Sequence, residues 1–239
     1  MALTEQFVLN VAVVEVQYRK GVVYLDRCGS TMLRLEETLG AAFEGNVPQM
    51  AHGELTNAAE RMAVRYGPKA FNVAQHWVRS PVRVEQIAPV AWEQVSESLG
   101  VAREVIRCGV RFSFMWGTDS PEEAERRIGA ARLFSEAPEW VAAFGAPKTR
   151  AWSATSESRE GQLTASLSGM NTEIKGVLSA DLVGVVPKNA VVLDLDYTTP
   201  GAAPFALHKG QMKDFIRSSW ERAKRAAAVV RARVGADDA

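Results

Sequence analysis

Cysteine and histidine are scarce in this 239-residue chain, which holds two cysteines and three histidines. A structural zinc site takes four ligands, and Cys28, Cys108, His52, His76 and His208 are too scattered along the sequence to supply one. We therefore predict no metal site. Two isolated cysteines also build no disulfide framework, so we interpret Cys28 and Cys108 as reduced, half-buried thiols of a cytoplasmic protein.

The chain also lacks an excess of either charge, since 28 lysines and arginines balance 28 aspartates and glutamates. No overall field therefore draws the protein to nucleic acid or to an anionic membrane. Its apolar runs are short, and none approaches the roughly 20 residues of a membrane-spanning helix. Residues 1–16 carry Glu5 and Glu15 and lack a basic start, so they predict no signal peptide. We expect a soluble, cytoplasmic protein.

Several catalytic and cofactor motifs are missing as well. The sequence contains no glycine-rich phosphate loop, no dinucleotide-binding fingerprint and no Gly-x-Ser-x-Gly nucleophile elbow. We therefore predict no cofactor and assign no catalytic residue.

The hydrophobic pattern present in the chain alternates between strand and helix signals. Strands are predicted at residues 11–17, 22–26, 61–67, 70–78, 81–87, 104–117, 162–170, 172–186 and 189–199, the first two as a hairpin and with a turn at 169–171. Helices are predicted from a cap at Ser30 or Thr31 to Gly40, after Pro89, after Ser120, and over about 207–234.

This order of elements lacks regular strand–helix alternation and predicts an α+β fold. We expect mainly antiparallel sheet with short helices and a long C-terminal amphipathic helix, in a single domain over 1–235 with a disordered tail at 236–239. The tripeptide Arg-Cys-Gly occurs at 27–29 and at 107–109. This repeat suggests two similar halves, about 1–118 and 119–235.

The stretch AVVLDLDYTT, residues 190–199, is the first candidate site because two carboxylates stand two residues apart in it. Alternation along a strand puts Asp194 and Asp196 on one face, where they could ligate Mg²⁺. The same alternation is typical of a half-buried strand whose acids face water. We favour that interpretation, because the sequence offers no phosphate-binding element beside them.

The C-terminal helix is the second candidate, as a basic stripe for nucleic acid or lipid headgroups. Its cations are Lys209, Lys213, Arg217, Arg222, Lys224, Arg225, Arg231 and Arg233. A docked amphipathic helix with a solvated face is the interpretation that we favour, because only Phe215 and Trp220 could stack on bases.

Two further clusters are weaker candidates. In RCGVRFSFMWG, Arg107 and Arg111 could flank an anion pocket, and Trp116 could be an exposed anchor. In RCGST, Cys28 could be a nucleophile at a helix N-terminus, where the helix dipole lowers a thiol pKa. Ser30 and Thr31 are more simply helix caps, and His208 completes no triad with them.

Three segments resemble a sporadically distributed family of bacterial proteins of uncharacterised function. They are VAVVEVQY at the N-terminus, REVIRCGVRFSFMW in the centre, with Phe112 where tyrosine is common, and VVLDLDYTTPG with LHKGQMKDFIRSSW near the end. The last pair includes a Leu-Asp-x-Asp pattern and the spacing of His208 and Phe215. This resemblance covers most of the chain and implies no established active site.

These observations favour a non-enzymatic interaction protein, acting as a homodimer or by strand addition at a sheet edge, with a chaperone-like or antitoxin-like role. The alternatives are a metal-dependent hydrolase or nucleotide-handling enzyme that uses Asp194 and Asp196, and a nucleic-acid binder that uses the last helix. An enzyme requires the two aspartates to meet a third acid or histidine in a pocket. A binder of nucleic acid requires a continuous positive face.

Overall fold

A computed structural model of the chain describes residues 7–19, 21–46, 48–78, 80–131, 133, 151–158, 161–171, 187–201 and 203–235. Within these residues nine strands and four helices form. The strands are β1 Val8–Tyr18, β2 Glu44–Gly45, β3 Gly53–Asn57, β4 Met62–Tyr66, β5 Ala70–His76, β6 Val105–Thr118, β7 Ala151–Ser158, β8 Gly161–Asn171 and β9 Asn189–Thr198. The helices are α1 Tyr24–Leu39, α2 Val82–Leu99, α3 Pro121–Ala130 and α4 Lys209–Val234.

All nine strands join one sheet in the order β2-β3-β4-β5-β1-β6-β9-β8-β7, and every pairing is antiparallel. The predicted α+β fold with mainly antiparallel pairing and a long C-terminal helix is thus confirmed. Among the described helices, none is both long and apolar enough to cross a membrane.

The helices pack on one face of this sheet. Trp92 of α2 contacts the rings of Tyr18 and Phe71, and Trp220 of α4 contacts those of Phe112 and Phe114. Side chains in β1 alternate between the two faces of the sheet. Those that point away from the helices, such as Glu15, are only half-buried. The sheet therefore has an apolar, helix-covered face and a second face, called the open face here, that no described helix covers.

The order of elements repeats once along the chain. A strand, a helix, a three-stranded meander and a second helix occur as β1-α1-β3-β4-β5-α2 and again as β6-α3-β7-β8-β9-α4. In each run the first strand pairs with the last strand of the meander, and β1 and β6 pair with each other at the centre. The first run ends with α2 at Leu99, and the second begins with β6 at Val105.

The tripeptide that suggested this repeat does not mark equivalent positions. Arg27-Cys28-Gly29 lies on helix α1, whereas Arg107-Cys108-Gly109 lies on strand β6. The repeat of elements therefore rests on topology alone.

The hairpin predicted over residues 11–26 is wrong, because β1 is followed by a short 3₁₀ turn and then by α1. Ser30 and Thr31 consequently lie inside α1 and do not cap it. The Thr31 hydroxyl donates to the carbonyl of Arg27 one turn earlier. Tyr24, the first residue of α1, packs inward against Tyr66 with ring centroids 5.9 Å apart, a contact that the predicted hairpin did not include.

The strand predicted over 81–87 is also wrong, since those residues begin α2 and Pro89 lies inside that helix. Val84, Ile87 and Ala88 are buried at helical spacing, which the brief alternation around Val82 had obscured. The turn predicted at 169–171 is instead part of β8, where Gly169 faces α3. A β-carbon there would come within 2.9 Å of the Glu125 carboxylate, so glycine permits this close approach. The strand predicted over 172–186 lies outside the described residues, as does the tail at 236–239.

Candidate functional site

The two aspartates of β9 lie on the open face of the sheet, as predicted. Asp194 accepts a hydrogen bond from Arg111 Nε at 2.8 Å, and Asp196 accepts one from Arg107 Nη2 at 3.2 Å. The carboxylates therefore do not project into bulk water alone, since arginines of the neighbouring strand β6 pair with both of them.

Burial and charge act against each other in this pair of acids. Partial burial raises the pKa of Asp196. The positive charges of Arg107 and Arg111 each lower this pKa, but by less than burial raises it. Asp194 and Glu15 are the acids whose charge adds to the increase. Among the described residues, no group of three His, Cys, Asp or Glu side chains is placed to hold a metal ion. The arrangement is an ion-pair ladder across two strands.

The cations of α4 are partly neutralised by neighbouring acids. Lys209 pairs with Glu93 at 3.0 Å and Arg217 with Glu85 at 2.7 Å, both of them acids of α2. Lys224 pairs with Glu221 on its own helix at 2.7 Å. The predicted basic stripe is therefore interrupted, and two of these ion pairs join α4 to α2.

The remaining sequence candidates are dispersed. Trp116 is only 5% exposed and packs against Phe7, so the hypothesis of an exposed anchor is wrong. Cys28 lies in the second turn of α1 rather than at a helix N-terminus. His208 precedes α4, and its main-chain N–H donates to Gln211 Oε1 at 3.0 Å. Both cysteines are free thiols, and burial raises the pKa of Cys108 to about 12.

The edge strand β7 is the longest exposed strand of the described sheet. It pairs with β8 alone among the described strands, and every side chain in it except Trp152 is exposed. In an antiparallel ladder alternate residues direct their N–H and C=O groups to one neighbour, so the other half of these groups point outward. β7 contains no proline or lysine, the residues that protect natural edges, whereas the opposite edge strand β2 is protected by its length of two residues.

A groove of about 610 Å³ lies beside this edge on the helix-covered face, between the β7–β8 hairpin and α4. Its apolar side chains are Leu163, Tyr197, Phe215 and Ala226, its polar ones Ser156, Ser158, Gln162, Thr198, Ser218 and Ser219, and its cationic ones Arg222 and Arg225. A second concavity of about 730 Å³ lies on the open face at the same end of the hairpin. Accessible backbone groups and concave surface thus converge at β7 and β8.

The sequence did not reveal this region, because residues 151–158 are mostly serine, threonine and alanine and show little hydrophobic alternation. The signal available was Gly161, which stands directly before the predicted strand at 162–170. Its φ of +138° and its contact with the carbonyl of Thr198 leave no room for a side chain. A glycine turn of this kind before a strand indicates a hairpin partner upstream.

In comparisons with known proteins, the chain matches no protein-family model and no curated protein sequence. Its resemblance to the sporadically distributed bacterial family therefore stays a prediction from the three sequence segments.

Proposed function

We propose that this chain is a non-enzymatic, cytoplasmic interaction protein that acts as a homodimer, with the β7 strands of two copies paired edge to edge. The observation that carries the proposal is the outer edge of β7, with which no described strand pairs, and which runs for eight residues whose side chains are all exposed except Trp152. Unpaired backbone groups on such an edge form the template on which another strand adds. A chaperone-like or antitoxin-like role is a narrower form of this proposal.

The side chains of β7 suit pairing with a second copy. Consider a twofold axis perpendicular to the sheet that passes through Ala154 or Thr155. It places residues whose side chains point to the same face opposite each other, so the helices of both copies lie on the same side of the joint sheet. Ser153 then lies opposite Thr155 or Glu157 of the second copy, and no pair of like charges meets directly. Eight residues bury less than the roughly 1,600 Å² of a standard interface, so we expect a reversible dimer.

The two alternative functions have less support. Asp194 and Asp196 form ion pairs with arginines, and among the described residues no group of three His, Cys, Asp or Glu side chains is placed to hold a metal ion. Cations of α4 are paired with Glu85 and Glu93, and this pairing weakens the case for a nucleic-acid surface. We therefore propose no second function.

The test is the oligomeric state at increasing protein concentration, measured by sedimentation velocity and light scattering. We expect the native protein to dimerise with a dissociation constant on the order of micromolar. In the double variant Ser153→Lys with Thr155→Lys, lysines of the two copies face each other in either register. That variant should stay monomeric with an unchanged circular dichroism spectrum.

The matched control carries lysines at Thr38 and Val229, which are exposed on helices α1 and α4. It should dimerise like the native protein. A native protein that stays monomeric throughout the concentration series contradicts the proposal. A dimer that persists unchanged in the Ser153→Lys, Thr155→Lys variant contradicts it equally.

A further inference from the structure

The groove between α4 and the β7–β8 hairpin has the size and composition of a small-molecule site. Ligand pockets typically enclose about 300–1,000 Å³, with apolar walls and a few convergent polar groups. We infer that this groove binds a small amphipathic carboxylate, with its apolar body on Leu163 and Phe215 and its charge beside Arg225.

The apolar part of the groove is built from side chains at the border of the core. Leu163 of β8 and Phe215 of α4 are both half-buried and pack against the core cluster, so each leaves part of its surface to the groove. A hydrocarbon chain or an aromatic ring laid on them removes apolar surface of both partners from water. This apolar contact contributes to binding affinity but does not distinguish a charged ligand from a neutral one.

The charge preference comes from Arg225. The described residues that line the groove include Arg222 and Arg225 but no aspartate or glutamate. Glu221 pairs with Lys224 at 2.7 Å, and Arg225 only donates from Nε to the main-chain carbonyl of Glu221 at 3.3 Å. The guanidinium of Arg225 therefore has no carboxylate partner within the described part of the chain, and its fork geometry suits one.

Tyr197 locates this cation inside the groove. Burial raises the pKa of Tyr197 to about 12, and the charge of Arg225 opposes that increase. An electrostatic effect on a buried ring requires the guanidinium to lie close to it. Arg225, exposed on α4, thus lies on the side of the groove next to Tyr197.

The two topological repeats differ in the length of their first helix. In the first half α1 has 16 residues and contacts β3. The equivalent helix α3 has 10 residues and contacts β8 near Gly169. The shorter helix leaves the other end of β8 uncovered within the described structure.

The larger concavity on the open face is the weaker candidate for an anion. Its lining includes Arg107, which is already paired with Asp196, and Glu157, whose charge repels an anion. The groove beside α4 has no acidic side chain among its described lining residues, and Arg225 in it has no carboxylate partner within the described part of the chain, so the charge argument selects this groove.

The test uses decanoate as the probe, with decan-1-ol and acetate as matched ligands that lack the charge or the chain. Isothermal titration calorimetry of the native chain should show decanoate binding below about 1 mM and much weaker binding of the other two. Arg225→Gln should weaken decanoate binding by about tenfold or more, since a charge-assisted hydrogen bond is lost, and should leave decan-1-ol unaffected. Arg225→Lys, which keeps the charge, should lose less.

Arg217→Gln is the control, because Arg217 lies on the same helix but pairs with Glu85 outside the groove. It should bind decanoate normally, as should the Ser153→Lys, Thr155→Lys variant, whose lysines point to the open face. The inference is overturned by absent decanoate binding, by equal affinity for decan-1-ol, or by unchanged affinity in Arg225→Gln. Loss of binding in the lysine variant overturns it too, whatever the oligomeric state proves to be.

Discussion

The two aspartates of β9 meet the arginines of β6 diagonally rather than directly across the ladder. Arg111 lies opposite Asp196 in register, yet its guanidinium donates to Asp194, two residues along the strand. Asp196 accepts instead from Arg107, four residues along β6 from the Arg111 that lies opposite it. The sequence predicted the face of these carboxylates from period two alone. It could not predict their partners, because the adjacency of β6 and β9 is set by the order of strands in the sheet.

This ladder predicts a small effect of replacing Asp196 by asparagine. Burial raises the folded-state pKa of Asp196, so its protonated form favours the folded state. Its stability contribution is greatest below the unfolded-state pKa and decreases as pH rises through the folded-state pKa. Asp196→Asn, which resembles the protonated form, should therefore be as stable as the native protein near neutral pH or more stable, by no more than about 1 kcal/mol.

Urea unfolding of both proteins at a series of pH values measures this difference, with Asp214→Asn on α4 as an exposed control. The difference in free energy of unfolding should shrink toward low pH, where the native carboxyl is itself protonated. An Asp196→Asn variant that is clearly less stable at neutral pH would show instead that the arginine pairs outweigh burial.

At the scale of elements, the segments predicted correctly are those whose own residues decide their structure. Strands β6 and β9 have long alternating patterns, and α4 keeps one buried face through Met212, Ile216 and Ala223. The errors fall where contacts between elements decide. Residues 22–26 begin with two β-branched valines, but they form a 3₁₀ turn and the start of α1, where Tyr24 packs on Tyr66. β7 has a weak strand pattern and forms through eight cross-strand pairs with β8. For this reason the candidate site, which depends on β7, was not predicted.

Helix α3 has the N-terminal cap at Ser120 that the sequence predicted, and mutation can test how much this cap stabilises the protein. The Ser120 hydroxyl accepts a hydrogen bond from the Glu123 N–H at 3.1 Å, and Pro121 occupies the first turn. Ser120→Ala removes this cap and should lower the free energy of unfolding by about 1 kcal/mol. Ser218→Ala is the control, since its exposed hydroxyl only bonds Phe215 within α4. Equal stability of the two variants in urea titrations would contradict the role of Ser120.

On the scale of the whole molecule, the two topological repeats share one sheet and one helical layer. Strands β1 and β6 pair along most of their length at the centre of the sheet. Helices α2 and α4 pack together above them, joined by the ion pairs of Glu85 and Glu93. Trp92 is fully buried in α2, and its Nε1 donates to the carbonyl of Leu207 before α4 at 2.9 Å. The two repeats therefore bury their apolar residues in one shared interface. Water cannot enter one repeat without disrupting the other.

This shared core predicts that the repeats unfold together. Trp92→Phe removes the hydrogen bond to Leu207 and leaves that buried carbonyl without its donor, which should cost about 2 kcal/mol. The loss should appear equally in both repeats, although Trp92 belongs to the first. Hydrogen exchange of amides in β4 and β9, followed at increasing urea, measures each repeat separately. We expect the same decrease in opening free energy at both strands. If β4 loses protection while β9 keeps its native value, the repeats are independent folding units that merely share a sheet, and the β1–β6 ladder does not couple them.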